Sequence, residues 1–211
     1  KDAIQNGSKI IISDKVKTIG SENNILFLND KNPRKLLSQF SSKIFNKKPN
    51  HLIAVTGTNG KSSIANFFFQ ILKLNNIKVA SIGTLGVNTT IKNIKTENTT
   101  LDPLTVNKIL NQLKLKKIEN VILEASSHGL SQNRLEGLKF DIGIFTNLTR
   151  DHLDYHKTIK DYLNSKLILF NNLLTIKGNA VFEEKNKETK QLKIISKNRK
   201  LKKYTFGSSK S

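Results

Sequence analysis

The sequence predicts an α/β fold: a mostly parallel, doubly wound sheet around a P-loop-like core, preceded by part of a smaller α/β domain. Three observations predict it. Short apolar runs alternate with amphipathic stretches of helical period over most of the 211 residues, the pattern of strand–helix–strand units. One run enters the glycine-bearing segment "VTGTNGKSS" (55–63), and a helical stretch follows at once, which is the setting of a phosphate-binding turn. Other apolar runs end in polar clusters, and in open α/β sheets ligands gather beyond the carboxyl ends of the strands.

"KIIIS" (9–13) and "NILFL" (24–28) are strand-type runs. "NPRKLLSQFSSKIF" (32–45) carries Leu36, Leu37, Phe40 and Ile44 at helical spacing. Asn32 is its cap and Pro33 its first helical residue. "KKPN" (47–50) is a linker and marks a domain boundary. "HLIAVTG" is then a buried strand that runs into the glycine loop. The following helix turns Ile64, Phe67, Phe68, Ile71 and Leu72 inward. "KVASIG" is a strand, and "DPLTVNKILNQLKLKK" a helix capped by Asp102 and opened by Pro103, with Val106, Ile109, Leu110 and Leu113 inward. "NVILEAS" and "DIGIFTN" are two more buried strands. "TIKDYLNSKLILFNNLL" is a helix opened by Thr158 with Asp161 three residues on, and "NAVF" is a further strand.

Composition narrows the function classes. Hydrophobic residues make up 36% and charged residues 25%, so the chain is polar but has enough apolar residues for a core. No apolar run approaches the ~20 residues that span a bilayer, and no signal-like apolar region stands at the start. The absence of cysteine excludes disulfides and thiolate metal sites and fits a cytoplasmic location. The absence of methionine is expected of a piece of a longer chain. The net charge of +20 invites a nucleic-acid partner. Yet only Arg34, Arg134, Arg150 and Arg199 are arginines against 32 lysines, whereas phosphate and base readers favour arginine. The lysines are spread among Asn and Ile residues, as an AT-rich coding sequence produces. Neither nucleic acid nor a membrane is therefore expected as a partner. The dense basic run Lys185 to Lys203 is expected to be a solvated, mobile surface segment.

Within the glycine loop, backbone N–H groups and the helix N-terminus would face an anion, Lys61 would supply a point charge and a hydroxyl would reach Mg²⁺. Strict P-loop spacing asks for glycine at position 55, which is Val55; Gly57, Gly60, Lys61 and Ser62 form a shortened variant with the same physics. Two further strand ends deliver Glu124, Ser126, Ser127 and His128, and Asn147, Asp151, His152, Asp154 and His156. "TENTTLDP" (96–103) follows the "KVASIG" strand. Each alone is compatible with an ordinary turn. Together, a carboxylate and an imidazole near a phosphate loop suggest metal-assisted phosphoryl transfer.

"TGTNGKSS", "TENTT", "EASSHGLSQNR" and "FTNLTRDHLDYH", in this order over roughly residues 1–180, resemble the Mur ligases, most closely the type that adds the third residue of the peptidoglycan stem peptide. The resemblance implies an ATP-dependent amide-bond-forming enzyme whose substrates are a UDP-MurNAc-dipeptide (UDP-MurNAc-L-Ala-D-Glu) and a free amino acid, meso-diaminopimelate or lysine. It implies that Gly57, Thr58, Asn59, Gly60, Lys61, Ser62 and Ser63 bind the ATP phosphates. It further implies that Ser62, Glu124 and His152 ligate Mg²⁺, and that Asn98, Thr99, Thr100, Ser126, Gln132 and Arg134 hold the UDP-sugar-peptide. Lys166, fifteen residues after Asp151, matches the lysine that the family carries N6-carboxylated, which the resemblance adds to the metal-binding set; among 32 lysines nothing else singles it out. The implied catalytic set is Lys61, Glu124, His152 and Lys166.

The resemblance also divides the chain. Residues 1–48 correspond to the latter part of an N-terminal UDP-substrate-binding domain. Residues 49–211 correspond to a central ATP-binding domain short of its closing end, and the C-terminal amino-acid-binding domain is absent. A cytoplasmic monomer is expected. Two departures stand out: "EEKN" (183–186) where the family usually has Asn-x-Asp-Asp near the nucleotide, and Lys-Ser-Ser where Lys-Thr-Thr is commoner. The first leaves the adenosine contacts open. Three alternatives remain: a folylpolyglutamate synthase-like ligase, which would lack "TENTT" together with "SSHGLSQNR"; a basic nucleic-acid-binding module, which calls for clustered arginines and exposed aromatics; and a non-catalytic homologue, suggested only by "EEKN".

Overall fold

The computed structural model describes residues 2–17, 19–90, 92–152 and 154–207; the last four residues of the "YTFGSSKS" end lie outside them. A one-turn helix α1 (Asp2–Gln5) precedes a small sheet of β1 (Ile10–Ser13), β2 (Gly20–Glu22) and β3 (Ile25–Asn29), ordered β1-β3-β2. β1 and β3 are the two strands expected; β2 pairs antiparallel with β3, and its "GSE" sequence carries no apolar signal.

Helix α2 (Pro33–Ile44) begins as predicted, with the Asn32 side chain accepting from the Lys35 N–H at 3.0 Å. Its apolar residues do not form the buried side. Leu37, Phe40 and Ile44 are exposed, while Ser38 and Ser41 are buried. Ser38 Oγ donates to the Asn133 carbonyl and Ser42 Oγ to the Gly137 carbonyl at 2.9 Å. Two hydroxyls therefore tie this helix to loop carbonyls that need donors, whereas the buried Ser41 hydroxyl has no hydrogen-bond partner among the described residues. At Gly137, whose φ is +85°, a Cβ would be strained by the left-handed backbone and would stand in tight contact, 3.0 Å from Ser42 Cβ.

The remainder forms an eight-stranded sheet of order β11-β10-β9-β4-β8-β5-β6-β7. Its strands are β4 (His51–Thr56), β5 (Val79–Gly83), β6 (Gly86–Thr89), β7 (Asn93–Ile94), β8 (Asn120–Glu124), β9 (Phe140–Phe145), β10 (Leu174–Glu183) and β11 (Lys202–Phe206). Every pair from β11 through β5 is parallel, and β6 and β7 add an antiparallel edge. The chain leaves β4 toward β5 and later returns to its other side at β9, so β4 sits at the reversal of strand order, where α/β sheets bind ligands.

Helix α3 (Lys61–Leu74) covers one face; α4 (Pro103–Leu115), α5 (Ser127–Ser131), α6 (Ile159–Ile168) and α7 (Thr189–Asn198) contribute to the structure beyond it. The main core joins Leu52, Ala54, Val121 and Leu123 of the sheet to Val106, Leu110 and Leu113 of α4 and Leu163 and Leu167 of α6. The Asp102 cap accepts from Leu104 and Thr105, and the Thr158 cap from Asp161, as predicted.

Three expectations need correction. The helix expected through Leu174 ends at Ile168; Leu169–Leu173 form a wider π-type turn, and Leu174 opens β10. In α3 the buried residues are Ala65 and Phe69, with Ile64 and Phe68 packed on Ile53, Val55 and Ile122. Phe67 and Ile71 are 61% and 59% exposed, so the inner face is rotated from the one expected. The segment 185–203 is not a loose surface tail. It holds α7, whose Leu192 and Ile195 enter the main core, and it leads into β11, paired with β10 from Asn179↔Lys202 to Glu183↔Phe206. Lysines between those apolar residues hide a spacing of three that a helix places on one side.

Candidate active site

The loop after β4 is built for close approach. Gly57 has φ +143°, and a Cβ there would fall 1.8 Å from Thr146 Oγ1. Gly60, at φ +84°, is the left-handed residue from which α3 starts. The loop is tied to the end of β9: Thr58 N–H donates to the Asn147 carbonyl (2.9 Å), Asn59 N–H to Asn147 Oδ1 (3.0 Å) and Thr146 Oγ1 to the Asn59 carbonyl (2.6 Å). The first N–H groups of α3 lack partners inside the helix and carry the positive end of its dipole. Lys61 folds back so that its ammonium donates to the carbonyls of Gly57 (3.0 Å) and Thr58 (2.7 Å). Burial lowers its pKa, while Glu124 and Asp151 act in the opposite sense.

Glu124, at the end of β8, is 2% exposed. Its Oε2 accepts from Ser62 Oγ (2.9 Å) and Thr84 Oγ1 (3.1 Å), and its Oε1 from the Thr84 N–H (3.0 Å). Gly83 makes this enclosure possible, since a Cβ there would stand 2.1 Å from Oε1. Lys166, on α6, is 1% exposed. Its ammonium donates to the Gly57 carbonyl at 2.7 Å and lies 4.3 Å from the centre of the Tyr162 ring. Burial, with the charge of Lys61 pushing the same way and Asp151 opposing, lowers its pKa to about 7. The Tyr162 hydroxyl, 3.2 Å from Thr58 Oγ1, links α6 to the loop.

A cleft of ≈ 260 Å³ joins these parts. Of the residues singled out from sequence, Thr58, Asn59, Gly60, Lys61, Ser62, Thr99, Glu124, Ser126, Ser127, His152 and Lys166 line it. His152 sits at φ +51° with its ring half-exposed, and its Nε2 is 3.5 Å from Asp151 Oδ2. Gly57 lies behind, accepting both lysines; Ser63 and Asn98 are exposed and do not line the cleft. Thr100 is buried beside it, donating to the Glu124 carbonyl at 2.8 Å and standing 3.0 Å from Ser126 Oγ. Arg134 donates to the Thr100 carbonyl (2.6 Å) and, through Nε and Nη2, to Gln132 Oε1 (3.0 and 2.8 Å). Gln132 reaches the Tyr155 hydroxyl at 3.2 Å, and the Tyr155 ring lies 4.1 Å from that of His128. The "TENTT" and "SSHGLSQNR" segments thus meet next to the phosphate loop.

Sequence reasoning missed Thr84 and Tyr162 among the lining residues. Tyr162 precedes Lys166 by four residues on one helix, a spacing that places both on the same side. Thr84 directly follows a parallel strand, the position at which ligand-facing residues are expected. In "EEKN", Glu184 pairs with Lys193 while Asn186 Nδ2 donates to the Thr146 carbonyl at 3.4 Å, so Asn186 contacts the β9 end that braces the phosphate loop.

A parallel sheet with a glycine–lysine loop at its reversal point, and a buried carboxylate facing that loop, defines a phosphate-loop α/β domain. The chain belongs to the Mur ligase family: residues 55–211 match the Mur ligase middle domain. A protein of Rickettsia conorii named UDP-N-acetylmuramoyl-L-alanyl-D-glutamate–2,6-diaminopimelate ligase is 40% identical over 211 residues, covering 98% of this chain and 43% of that protein. One of the same name from Brucella melitensis is 40% identical over 173 residues, covering 82% and 35%. A solved structure with this name superposes with a TM-score of 0.82 at 28% identity, over 99% of this chain and 42% of the other. Mycobacterium tuberculosis folylpolyglutamate synthase, solved with ADP, shares the fold at a TM-score of 0.65 and 12% identity, over 82% of this chain and 46% of the other. The chain spans less than half the length of these relatives.

Proposed function

We propose that this chain is the ATP-handling part of a ligase that joins 2,6-diaminopimelate to UDP-MurNAc-L-Ala-D-Glu. The observation that carries it is the meeting of Lys61, Ser62, Glu124, His152 and Lys166 on one cleft at the carboxyl ends of parallel strands. The names of the relatives favour diaminopimelate over lysine as the incoming amino acid, and the ADP bound in structures of the same fold favours ATP. The family's folylpolyglutamate branch is disfavoured by "TENTT" and "SSHGLSQNR", which meet beside the cleft through the contacts of Thr100 with Ser126 and Arg134.

In this reading the γ-phosphoryl group passes to a substrate carboxylate, ADP leaves, and the amine attacks the acyl phosphate and expels phosphate. Residues 57–63 hold the phosphates, and Lys61 exchanges its loop carbonyls for the transferred group. The donor set fits Mg²⁺. Among the described residues no three His, Cys, Asp or Glu side chains form a protein cage, and Mg²⁺ uses few protein ligands, completing its shell with phosphate and water. Ser62, Glu124 and His152 would hold it, and it would neutralise charge developing between the phosphates. Lys166 has the property that N-carboxylation needs: a pKa of about 7 leaves much of its amine neutral at physiological pH. The neutral amine adds to CO₂, losing a proton, and becomes an oxygen-bearing anion suited to a hard cation. Asn98, Thr99, Thr100, Ser126, Gln132 and Arg134 bind the UDP-sugar-peptide, Arg134 as an anion clamp. Residues 1–48 serve as part of a UDP-substrate domain and 49–211 as the nucleotide domain.

The full-length protein, given ATP, Mg²⁺ and UDP-MurNAc-L-Ala-D-Glu, should form one tripeptide product and one ADP per diaminopimelate consumed, with mass spectrometry as the readout. Product with a folate substrate and glutamate instead, or none with either pair, would refute the assignment.

A further inference from the structure

We infer that Thr84 is a positioning residue that fixes the Glu124 carboxylate for the metal and couples it to the substrate segment at Thr99. The inference rests on the proposed ligase reading, in which Glu124 serves Mg²⁺. Three observations point to Thr84. Its N–H and its hydroxyl approach different oxygens of one carboxylate, at 3.0 and 3.1 Å. Gly83 beside it leaves room for that carboxylate, where any Cβ would collide with Glu124 Oε1. And Thr84 Oγ1 lies 3.0 Å from Thr99 Oγ1.

Proton counting orients the chain. An ionised carboxylate only accepts, so the Thr84 hydroxyl spends its single proton on Glu124, and the Thr99 hydroxyl must be the donor to Thr84. The series runs from Thr99 through Thr84 to Glu124, with Ser62 donating to the same Glu124 oxygen from the phosphate loop. When Ser62 turns to a cation, the two Thr84 contacts remain to hold the carboxylate. That matters because the Lys61 ammonium acts on Glu124 across the cleft, and an unanchored carboxylate would turn toward it. The link to Thr99 gives the substrate segment a direct mechanical contact with the metal carboxylate. Thr84 is itself exposed at the cleft lip, so losing its hydroxyl leaves the core intact.

The test compares Thr84→Val and Thr84→Ser with wild type in the full-length protein, using Mg²⁺ titrations of fluorescent ATP-analogue binding, Mn²⁺ binding by electron paramagnetic resonance, and steady-state kinetics. Thr84→Val keeps the N–H contact and the shape but removes the hydroxyl. It should raise the Mg²⁺ concentration for half-maximal nucleotide binding about tenfold. Binding of the analogue without metal should stay within about twofold, and melting within about two degrees. Thr84→Ser should restore metal dependence to within about threefold of wild type. Wild-type-like Mg²⁺ and Mn²⁺ titrations for Thr84→Val would overturn the inference, as would equal losses with and without metal or no recovery in Thr84→Ser. Wild-type protein without Mg²⁺-dependent nucleotide binding would instead refute the ligase reading on which the inference rests.

Discussion

Lys166 occupies a position where a lysine is costly unless its charge is used or removed. It is 1% exposed, faces an aromatic ring and shares the Gly57 carbonyl with a second lysine. Its pKa of about 7 lies well below the 10.5 of an ordinary lysine. The neutral, CO₂-reactive amine therefore appears as pH rises through about 7 and is lost as pH falls below it, whereas an ordinary lysine stays protonated over this range. At fixed CO₂ pressure, ¹³C-bicarbonate should give a protein-bound carbamate resonance that grows through pH 7 and is missing in Lys166→Gln. A Lys166 that stays unmodified in a Mg²⁺-loaded, active protein would contradict the proposed role. In sequence, this residue is one of 32 lysines, and only the family pattern marks it; burial and charge proximity are properties of the fold. Gly57, Gly60 and Lys61 were legible without the family pattern, because a glycine loop between strand and helix has few other uses; Glu124 stood out only through the convergence of several polar strand ends, each of which alone is compatible with an ordinary turn.

At the scale of elements, strands and caps were the most legible parts. Asn32, Asp102 and Thr158 each cap the helix they were assigned to, because capping depends on chemistry local to one turn. Helix faces were less legible, because they depend on what lies opposite. α2 presents serines to loop carbonyls, and α3 leaves Phe67 outside. The basic segment 185–203 shows the same difficulty: charge dominates its composition, yet Thr189, Leu192, Ile195 and Ser196 make a buried stripe. Leu192, 1% exposed in the main core, and Ile194, 59% exposed beside it, separate the two descriptions. Chemical denaturation should show Leu192→Ala costing about 2–5 kcal/mol and Ile194→Ala under about 0.5 kcal/mol. Equal, small effects would mean that the segment is the loose tail its composition suggests.

Across the whole molecule, the parallel sheet was legible because alternation of periods is a global pattern, whereas the antiparallel edge of β6 and β7 was not, since "GVNT" and "NI" are too short and polar to register. The net charge of +20 acquires a local meaning here: Lys61 lines the cleft proposed to receive two polyanionic substrates, Arg134 stands beside it on the Thr100 carbonyl, and such positive charge concentrates anions. The central claim is that the cleft transfers a phosphoryl group to a carboxylate before the amide bond forms. Labelling the reacting carboxylate of UDP-MurNAc-L-Ala-D-Glu with ¹⁸O tests it directly in the full-length protein. With ATP, Mg²⁺ and diaminopimelate, mass spectrometry should find one ¹⁸O in each inorganic phosphate released, because the carboxylate oxygen that attacks phosphorus departs with it. Tripeptide formed with unlabelled phosphate would contradict the account.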